Sequence, residues 1–508
     1  MSVLKIALVH AVVVHKQPQT NRRELLALVQ EAGEQGAQLV VAPELMISGY
    51  SFAGHHDMEP YAETAEGPTV TAVAALCRQY GMYVCVGMAE LEPLTGILYN
   101  SAFVLDPVGS IVCRYRKINA ECRWACPGDP CQDNTFDTPW GRMGVLICSD
   151  SYHSLMARVT ALRGAVLLLI PSTWPPIGVN PVEIWQARAL ENSLFIAACN
   201  RTGCDLIMDC RQAPSAFVDP QGTVVLQKQA ATSQLLIVDL HLQDSGRIQP
   251  AHQSVPLPAG DLSRLRSCYL NLSGITNLTQ FLQLPPPGRL LLCCHALLSP
   301  DGAPALAVAE TTDAKTDTLH VLPAHAYSRN FLDEVRSRCA ATGHSALFIN
   351  TSQTVPVVHW LNGAADPCLW NWDTLTGGQE GRPVDCTYGP ARVRLLPMQT
   401  LRQPELVLAS AKEGVDVVIV LSPHFNEIIR LLAGVRTIEQ VAVAVCSPEG
   451  AGIWMIPTDH QRWGETLVGP GGSCCCFLDT GKTRVKRFQE RIDYSVLLQR
   501  RASTSQSR

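Results

Sequence analysis

An α/β fold of layered sheets and helices follows from three features of the chain. Segments of strand and helix character alternate from residue 3 to about residue 245. Several strand-length runs, residues 37–42 and 143–147 among them, are largely apolar, as strands covered on both faces are. The 508 residues are 47% hydrophobic and 17% charged, proportions that exclude a disordered, collagenous or coiled-coil chain and leave room for two equal domains.

Residues 4–14 read as the first strand and not as a signal peptide, since their apolar run is broken by His15 and Lys16 and has no small-residue cleavage site after it. Asn21 is placed to cap a helix that Gly33 and Gly36 stop, and the strand 37–42 then runs into Pro43-Glu44. A helix over 70–81 precedes a strand over 82–88, and strands 98–105 and 111–115 flank the turn Asp106-Pro107-Val108-Gly109 and end at Arg116-Lys117. Strand 143–147 closes in Cys148-Ser149-Asp150, with helical spacing over 152–163 and Gly164 as its C-cap. Strand 165–170, helix 182–192, strand 194–199, a hairpin through Asp219-Pro220-Gln221-Gly222 and strand 235–240 complete a domain of residues 1–245.

A net charge of −5 with no basic block argues against nucleic acid, and no run reaches the length of a membrane span; a cytoplasmic protein is expected. The 20 cysteines are scattered through apolar strands as free thiols are, and Cys474-Cys475-Cys476 alternate across a late strand. Cys122, Cys126 and Cys131 lack the partners for a zinc set, so no metal and no cofactor are expected.

Glu44, Lys117 and Cys148 each fall just beyond the end of an expected strand, the rim where α/β sheets bind ligands. A thiol beside a base, at a turn into a helix, is set up for nucleophilic attack. Glu44 is the candidate base, Cys148 the nucleophile, and Lys117 with the Ser149 N–H the candidate oxyanion hole, where each donor is worth about 3–4 kcal/mol.

The segments Val40-Val41-Ala42-Pro43-Glu44, Tyr115-Arg116-Lys117 and Gly144-Val145-Leu146-Ile147-Cys148-Ser149-Asp150 resemble the three motifs of the nitrilase (carbon–nitrogen hydrolase) superfamily. The resemblance extends over Asn200-Arg201-Thr202-Gly203 and the 219–222 hairpin. It implies a four-layer αββα sandwich and a catalytic Glu44, Lys117 and Cys148. It also implies a second glutamate that orients the lysine, for which Glu121, ahead of Trp124 and Pro127-Gly128, is the best match. Asn119 stands where the family usually has histidine. Cys148-Ser149-Asp150 follows the amidase-like branch, so the resemblance points to cleavage of an amide or carbamoyl C–N bond through a thioester. Nitrile hydrolysis, transfer of the acyl group to an amine, and a non-catalytic scaffold are the alternatives.

The second half reads as a degenerate copy of the first. A shift of 250 residues lays Met398 over Cys148, Gly414 over Gly164 and Val418-Ile419-Val420 over Leu168-Leu169-Ile170. Residues 319–323 answer 39–43, so that Ala324 replaces Glu44, and the lysine position falls near Asp373. Without an acid or a thiol this copy, residues 288–500, cannot run a thioester cycle. Superfamily domains commonly pair through one face, which implies an intrachain pseudo-dimer and allows further homo-oligomers. The Pro-rich stretch 246–287 is the expected linker and 501–508 a disordered tail. Tyr50, Trp124, Ser172, Thr173 and Trp174 are the candidate contacts for a small-molecule amide or acyl substrate. Asp209 and Arg211 read as a surface salt bridge.

Overall fold

The computed structural model describes residues 2–249, 262–297, 317–352, 356–362, 368–371, 384–458 and 462–499. The expected disordered tail, Asp373, and Pro250, Pro256 and Pro258 of the linker lie outside them. Two compact units emerge, one of residues 1–255 with the segment from Arg491 onward, the other of residues 256–490. The residues after Arg491, assigned from sequence to the second domain, thus group with the first unit. Among the described residues no helix is long and apolar enough to cross a membrane.

The first unit has twelve strands: β1 (Val3–His10), β2 (Leu39–Val41), β3 (Tyr83–Leu91), β4 (Leu98–Leu105), β5 (Ile111–Arg116), β6 (Thr135–Thr138), β7 (Gly141–Val145), β8 (Leu167–Ser172), β9 (Phe195–Asn200), β10 (Ser215–Val218), β11 (Val224–Lys228) and β12 (Gln234–His241). They form two six-stranded sheets, ordered β12-β1-β2-β3-β4-β5 and β11-β10-β9-β8-β7-β6. In each sheet three central neighbours, β1-β2-β3 and β7-β8-β9, run parallel. Their C-terminal ends therefore gather at common rims, which is what brings residues distant in sequence together.

Helices cover the outer faces. In the Pro18–Glu34 helix, Leu25, Leu28, Val29 and Ala32 recur at helical spacing and pack with Ala7, Val9 and Val40 in one buried cluster. Asn21 does not cap this helix, as the sequence suggested; Gln17 occupies that position. The buried Asn21 amide instead bridges two loops, accepting from Val14 N and donating to the carbonyls of Val14 and Ile47. The expected helix over 152–163 begins with a 3-10 turn, Cys148–Tyr152, and becomes α-helical only over Ser154–Leu162. Strand β6, absent from the sequence reading, pairs with β7 across a tight turn.

The second unit contains β13 (Arg289–His295), β14 (Asp317–Val321), β15 (Ser345–Asn350), β16 (Val357–Asn362), β17 (Cys368–Asn371), β18 (Val384–Tyr388), β19 (Ala391–Leu396), β20 (Val417–Leu421), β21 (Ala442–Ser447), β22 (Gly450–Trp454), β23 (Glu465–Val468) and β24 (Ser473–Asp479). Their sheet orders, β24-β13-β14-β15-β16-β17 and β23-β22-β21-β20-β19-β18, repeat those of the first unit strand for strand. Leu292, Leu319, Leu347 and Val358 of one sheet share a buried core with Val393, Val417, Ile419 and Ala444 of the other. With helices on the outer faces, each unit is an αββα sandwich.

The register makes the repeat residue-specific. Leu39 pairs with Ile6 and Tyr83 as Leu319 pairs with Leu292 and Ser345, so Ala324 stands at the counterpart of Glu44. Met143 faces Leu167 as Val393 faces Val417, so Met398 stands at the counterpart of Cys148.

The reading of the strand cysteines as free thiols is corrected at one pair: Cys293 and Cys475, directly opposite on β13 and β24, form a disulfide. Their neighbours Cys294 and Cys474 point to the opposite face and lie in the core, as alternation requires.

The second unit also buries a chain of imidazoles. His295 Nδ1 meets Ser473 Oγ at 2.7 Å, His295 Nε2 meets His320 Nδ1 at 3.0 Å, and His320 Nε2 meets His344 Nδ1 at 3.2 Å. Burial pushes His295 down to about 4 and His320 down to about 3 from the ordinary 6.5. Both stay neutral in the folded chain while the unfolded chain takes up protons first. Their contribution to stability is therefore complete above pH 6.5 and is lost as the pH falls toward these depressed values, about 1.4 kcal/mol for each unit of displacement. Calorimetric unfolding of the full chain should show a transition that drops on acidification from neutrality. His320→Val, which installs the residue found at the counterpart position Val40, should flatten that dependence.

Candidate active site

Glu44 follows β2, Lys117 follows β5 and Cys148 follows β7, and all three side chains are buried, with 0%, 2% and 6% exposure. Glu44 lies at the centre. Its Oε1 accepts from Lys117 Nζ at 2.6 Å and from Asn100 Nδ2 at 2.8 Å, and its Oε2 accepts from the Thr173 N–H at 2.9 Å. Thr173 Oγ1 donates to the Glu44 carbonyl at 3.0 Å, and the Thr173 carbonyl in turn accepts from Cys148 Sγ at 3.6 Å. The carboxylate is thus held by three donors, one of them a cation, which is how a buried charge is kept.

The electrostatics follow from this packing. Burial works against the Lys117 ammonium, but the Glu44 carboxylate, helped by Tyr50, Cys148 and Asp150, reverses the effect and holds it well above the ordinary lysine value. Burial pushes the Cys148 thiol well up, the Glu44 charge adds to the push, and Lys117 opposes it. Burial and the neighbouring carboxylate thus both favour the thiol over the thiolate.

The backbone around these groups is unusual. Cys148 has φ 46° and Leu45, directly after Glu44, has φ 49°, both in the left-handed region. Non-glycine residues held there cost on the order of 1–3 kcal/mol each and cluster at functional sites. Arg188, buried in the Pro181–Asn192 helix, donates to the carbonyls of Ser151 and Tyr152 at 2.8 and 2.9 Å and so fixes the turn that carries Cys148. Gly87 on β3 leaves room for Glu44: a Cβ there would sit 2.6 Å from the Pro43 carbonyl oxygen and 2.7 Å from Glu44 Cα. Gly128, from the Pro-Gly pair, donates its N–H to the Lys117 carbonyl at 2.8 Å and lies too close to the Arg116 carbonyl for any side chain.

The other residues singled out from sequence fall in different places. The Tyr50 hydroxyl shares the electrostatic surroundings of the site: burial raises it, with Glu44, Cys148 and Glu121 adding and Lys117 opposing. Trp174 is held by a reciprocal pair of hydrogen bonds with the Asn200 side chain, at 3.0 and 2.9 Å, and its ring meets those of Tyr152 and Trp185. Ser149 Oγ donates to the Asn119 carbonyl at 3.4 Å. Trp124 packs behind the site in a cluster with Leu45, Phe52 and Met58, against which Tyr50 is laid. The Ser172 hydroxyl turns back onto the Ile170 carbonyl at 3.3 Å. Glu121 accepts from Arg123 Nε at 3.0 Å, while the Lys117 ammonium donates to Glu44. Asp209 and Arg211 form an exposed ion pair at 2.6 Å, which draws Asp209 down to about 2.

Asn100, which the sequence reading did not single out, and Asp150, which it used only to mark the amidase-like branch, complete the arrangement. Asn100 on β4 donates to Glu44 and, through its carbonyl, accepts the Lys117 N–H at 2.8 Å. Asp150, raised by burial, accepts from the Tyr115 hydroxyl at 2.7 Å, from Ile118 N at 3.3 Å, and from Asn119 N and Nδ2 at 2.8 and 2.9 Å. It binds the segment after the lysine to the turn after the cysteine. Its place two residues past Cys148 was the available signal.

Residues 5–249 match the family described as carbon–nitrogen hydrolase. A nitrilase of Pyrococcus abyssi is 35% identical over 192 residues, 37% of this chain and 71% of that protein. An omega-amidase of Mus musculus is 29% identical over 272 residues, 51% of this chain and 94% of that protein. Among solved structures, an amidase from Nesterenkonia sp. aligns at a TM-score of 0.41 and 25% identity, over 47% of this chain and 90% of its own. A nitrilase-superfamily member of Saccharomyces cerevisiae aligns at a TM-score of 0.43 and 23% identity, over 47% and 90%. The sequence match, spanning the strands that present Glu44, Lys117 and Cys148, establishes that this chain belongs to the carbon–nitrogen hydrolase family.

Proposed function

We propose that the first unit is an amidase that hydrolyses a terminal carboxamide or carbamoyl group of a small molecule through a thioester on Cys148. The observation that carries this reading is the Glu44 carboxylate, which contacts the Lys117 ammonium at 2.6 Å and is linked through Thr173 to the Cys148 thiol. The omega-amidases among the relatives favour an amide over a nitrile substrate.

In the cycle, Cys148 Sγ attacks the carbonyl carbon while Glu44 takes the thiol proton. Charge moves onto the carbonyl oxygen, opposite Lys117 Nζ and the Ser149 N–H. Collapse of the tetrahedral intermediate breaks the C–N bond, with Glu44 delivering its proton to the departing nitrogen. Glu44 then takes a proton from water, whose oxygen attacks the thioester; the acid leaves and Cys148 recovers its proton. Because burial and Glu44 favour the Cys148 thiol, base and nucleophile need to exchange only one proton. Tyr50 and Trp174 supply aromatic surface for the acyl group, while the counterpart positions in the second unit, Ala324 and Met398, leave it without this chemistry.

Ammonia release from a panel of small ω-amides tests the activity. Cys148→Ala should abolish turnover and acyl-adduct formation, read by intact mass, while leaving the melting temperature within a few degrees. Glu44→Gln should lower turnover by about 10²- to 10⁴-fold. The same change removes a charge that raises the thiol, so alkylation of Cys148 near neutral pH should become faster, not slower. Gly87→Ala, which displaces Glu44 without touching its chemistry, should lower kcat on the order of 10²-fold.

A further inference from the structure

The last described residues of the chain pack against the machinery of the first unit. Arg491–Asp493 and the Tyr494–Gln499 helix belong to that unit, and the helix lies on the Ser154–Leu162 helix that follows the Cys148 turn. Ile492 and Asp493 line a small cleft whose other walls include Tyr115, Leu146, Met156 and Arg163. Asp493 Oδ2 accepts from Arg163 Nη2 at 2.7 Å, with the two side chains only 7% and 13% exposed. Its Oδ1 accepts from Ser495 N at 3.1 Å and Oγ at 2.5 Å, which fixes the carboxylate's orientation.

Arg163 passes this anchoring on in two directions. Its Nη1 donates to the Gln132 carbonyl at 2.7 Å and to Asn134 Oδ1 at 2.9 Å. The Gln132 side chain grips the backbone of Arg116, accepting its N–H at 2.9 Å and donating to its carbonyl at 2.7 Å, one residue before Lys117. Asn134 Nδ2 donates to the Val145 carbonyl at 2.8 Å and the Asn134 carbonyl accepts the Val145 N–H at 2.9 Å, at the end of β7 and three residues before Cys148.

We propose that Asp493 is a positioning residue for the reaction: through Arg163 it sets the backbone on which both Lys117 and Cys148 are carried, so that a segment from the far end of the chain completes the active site. The inference rests on the reading of Cys148 as nucleophile. Removing Asp493 frees Arg163 to swing into solvent, and Gln132 and Asn134 lose their common anchor. The consequence is a looser placement of cation and sulfur, not a change in their identity.

The experiment compares the full-length chain with Asp493→Ala, Asp493→Glu, Arg163→Ala and the double variant Asp493→Ala/Arg163→Ala. Asp493→Ala should lower kcat about tenfold or more with KM within about twofold. The pH profile of Cys148 alkylation should shift as well, since the thiol's neighbours have moved. Asp493→Glu should restore most of kcat, and the double variant should lose no more than the worse single one. A fall in melting temperature with unchanged kcat and an unchanged alkylation profile would overturn the proposal and leave Asp493 a purely structural anchor. If Cys148→Ala retains turnover, it is the nucleophile assignment that fails, a result the Asp493 variants do not mimic.

Discussion

The buried contact between Glu44 and Lys117 is the constraint around which the first unit is organised. Two full charges removed from water are tolerated only when each finds its complement and the remaining lone pairs and protons are satisfied. The Asn100 side chain and the Thr173 N–H meet that requirement on the carboxylate. Removing one member strands the other, at a cost of roughly 3–5 kcal/mol in comparable buried pairs. The same carboxylate reaches the sulfur as well: burial raises the Cys148 thiol and the Glu44 charge adds to the push.

The two units show that this apparatus is separable from the scaffold. Both have the same strand order in both sheets, and the same register locates Glu44 against Ala324 and Cys148 against Met398. The reactive groups lie past the strand ends, so replacing them leaves the inter-sheet core intact. In the second unit the polar interior has moved to the His295, His320 and His344 chain on a strand face where the first unit has Val9 and Val40. At two of the three rim positions the same fold carries apolar side chains, Ala324 and Met398.

Much of this was legible in the sequence because buried parallel strands announce themselves as short apolar runs, and β2, β7, β8 and β9 fall close to where such runs occur. Glu44 and Cys148 stand out because each lies just beyond one of those runs, and Lys117 because it directly follows the strand after a turn containing Pro and Gly. What escaped depends on contacts between distant segments. Asn21 looks like a cap because its amide suits caps, yet it is drawn into a junction between two loops. Asn100 looks like an ordinary polar residue facing out of a strand until Glu44 is placed against it. Nothing local to Cys293 or Cys475 names the other, since only the pairing of β13 with β24 makes them neighbours. The segment after Arg491 is too short for its own periodicity to say which core it joins.

That segment also orders events in time. A ribosome that has finished residue 255 has made nearly all of the reactive unit but must still polymerise residues 256–490 before the piece that joins Arg163 emerges. At the usual 5–20 residues per second, this is a delay of roughly 10–50 s. A nascent chain released early, or a message cut within the second half, would carry Glu44, Lys117 and Cys148 but not the Asp493 partner of Arg163. The first unit thus closes only after the second has been synthesised.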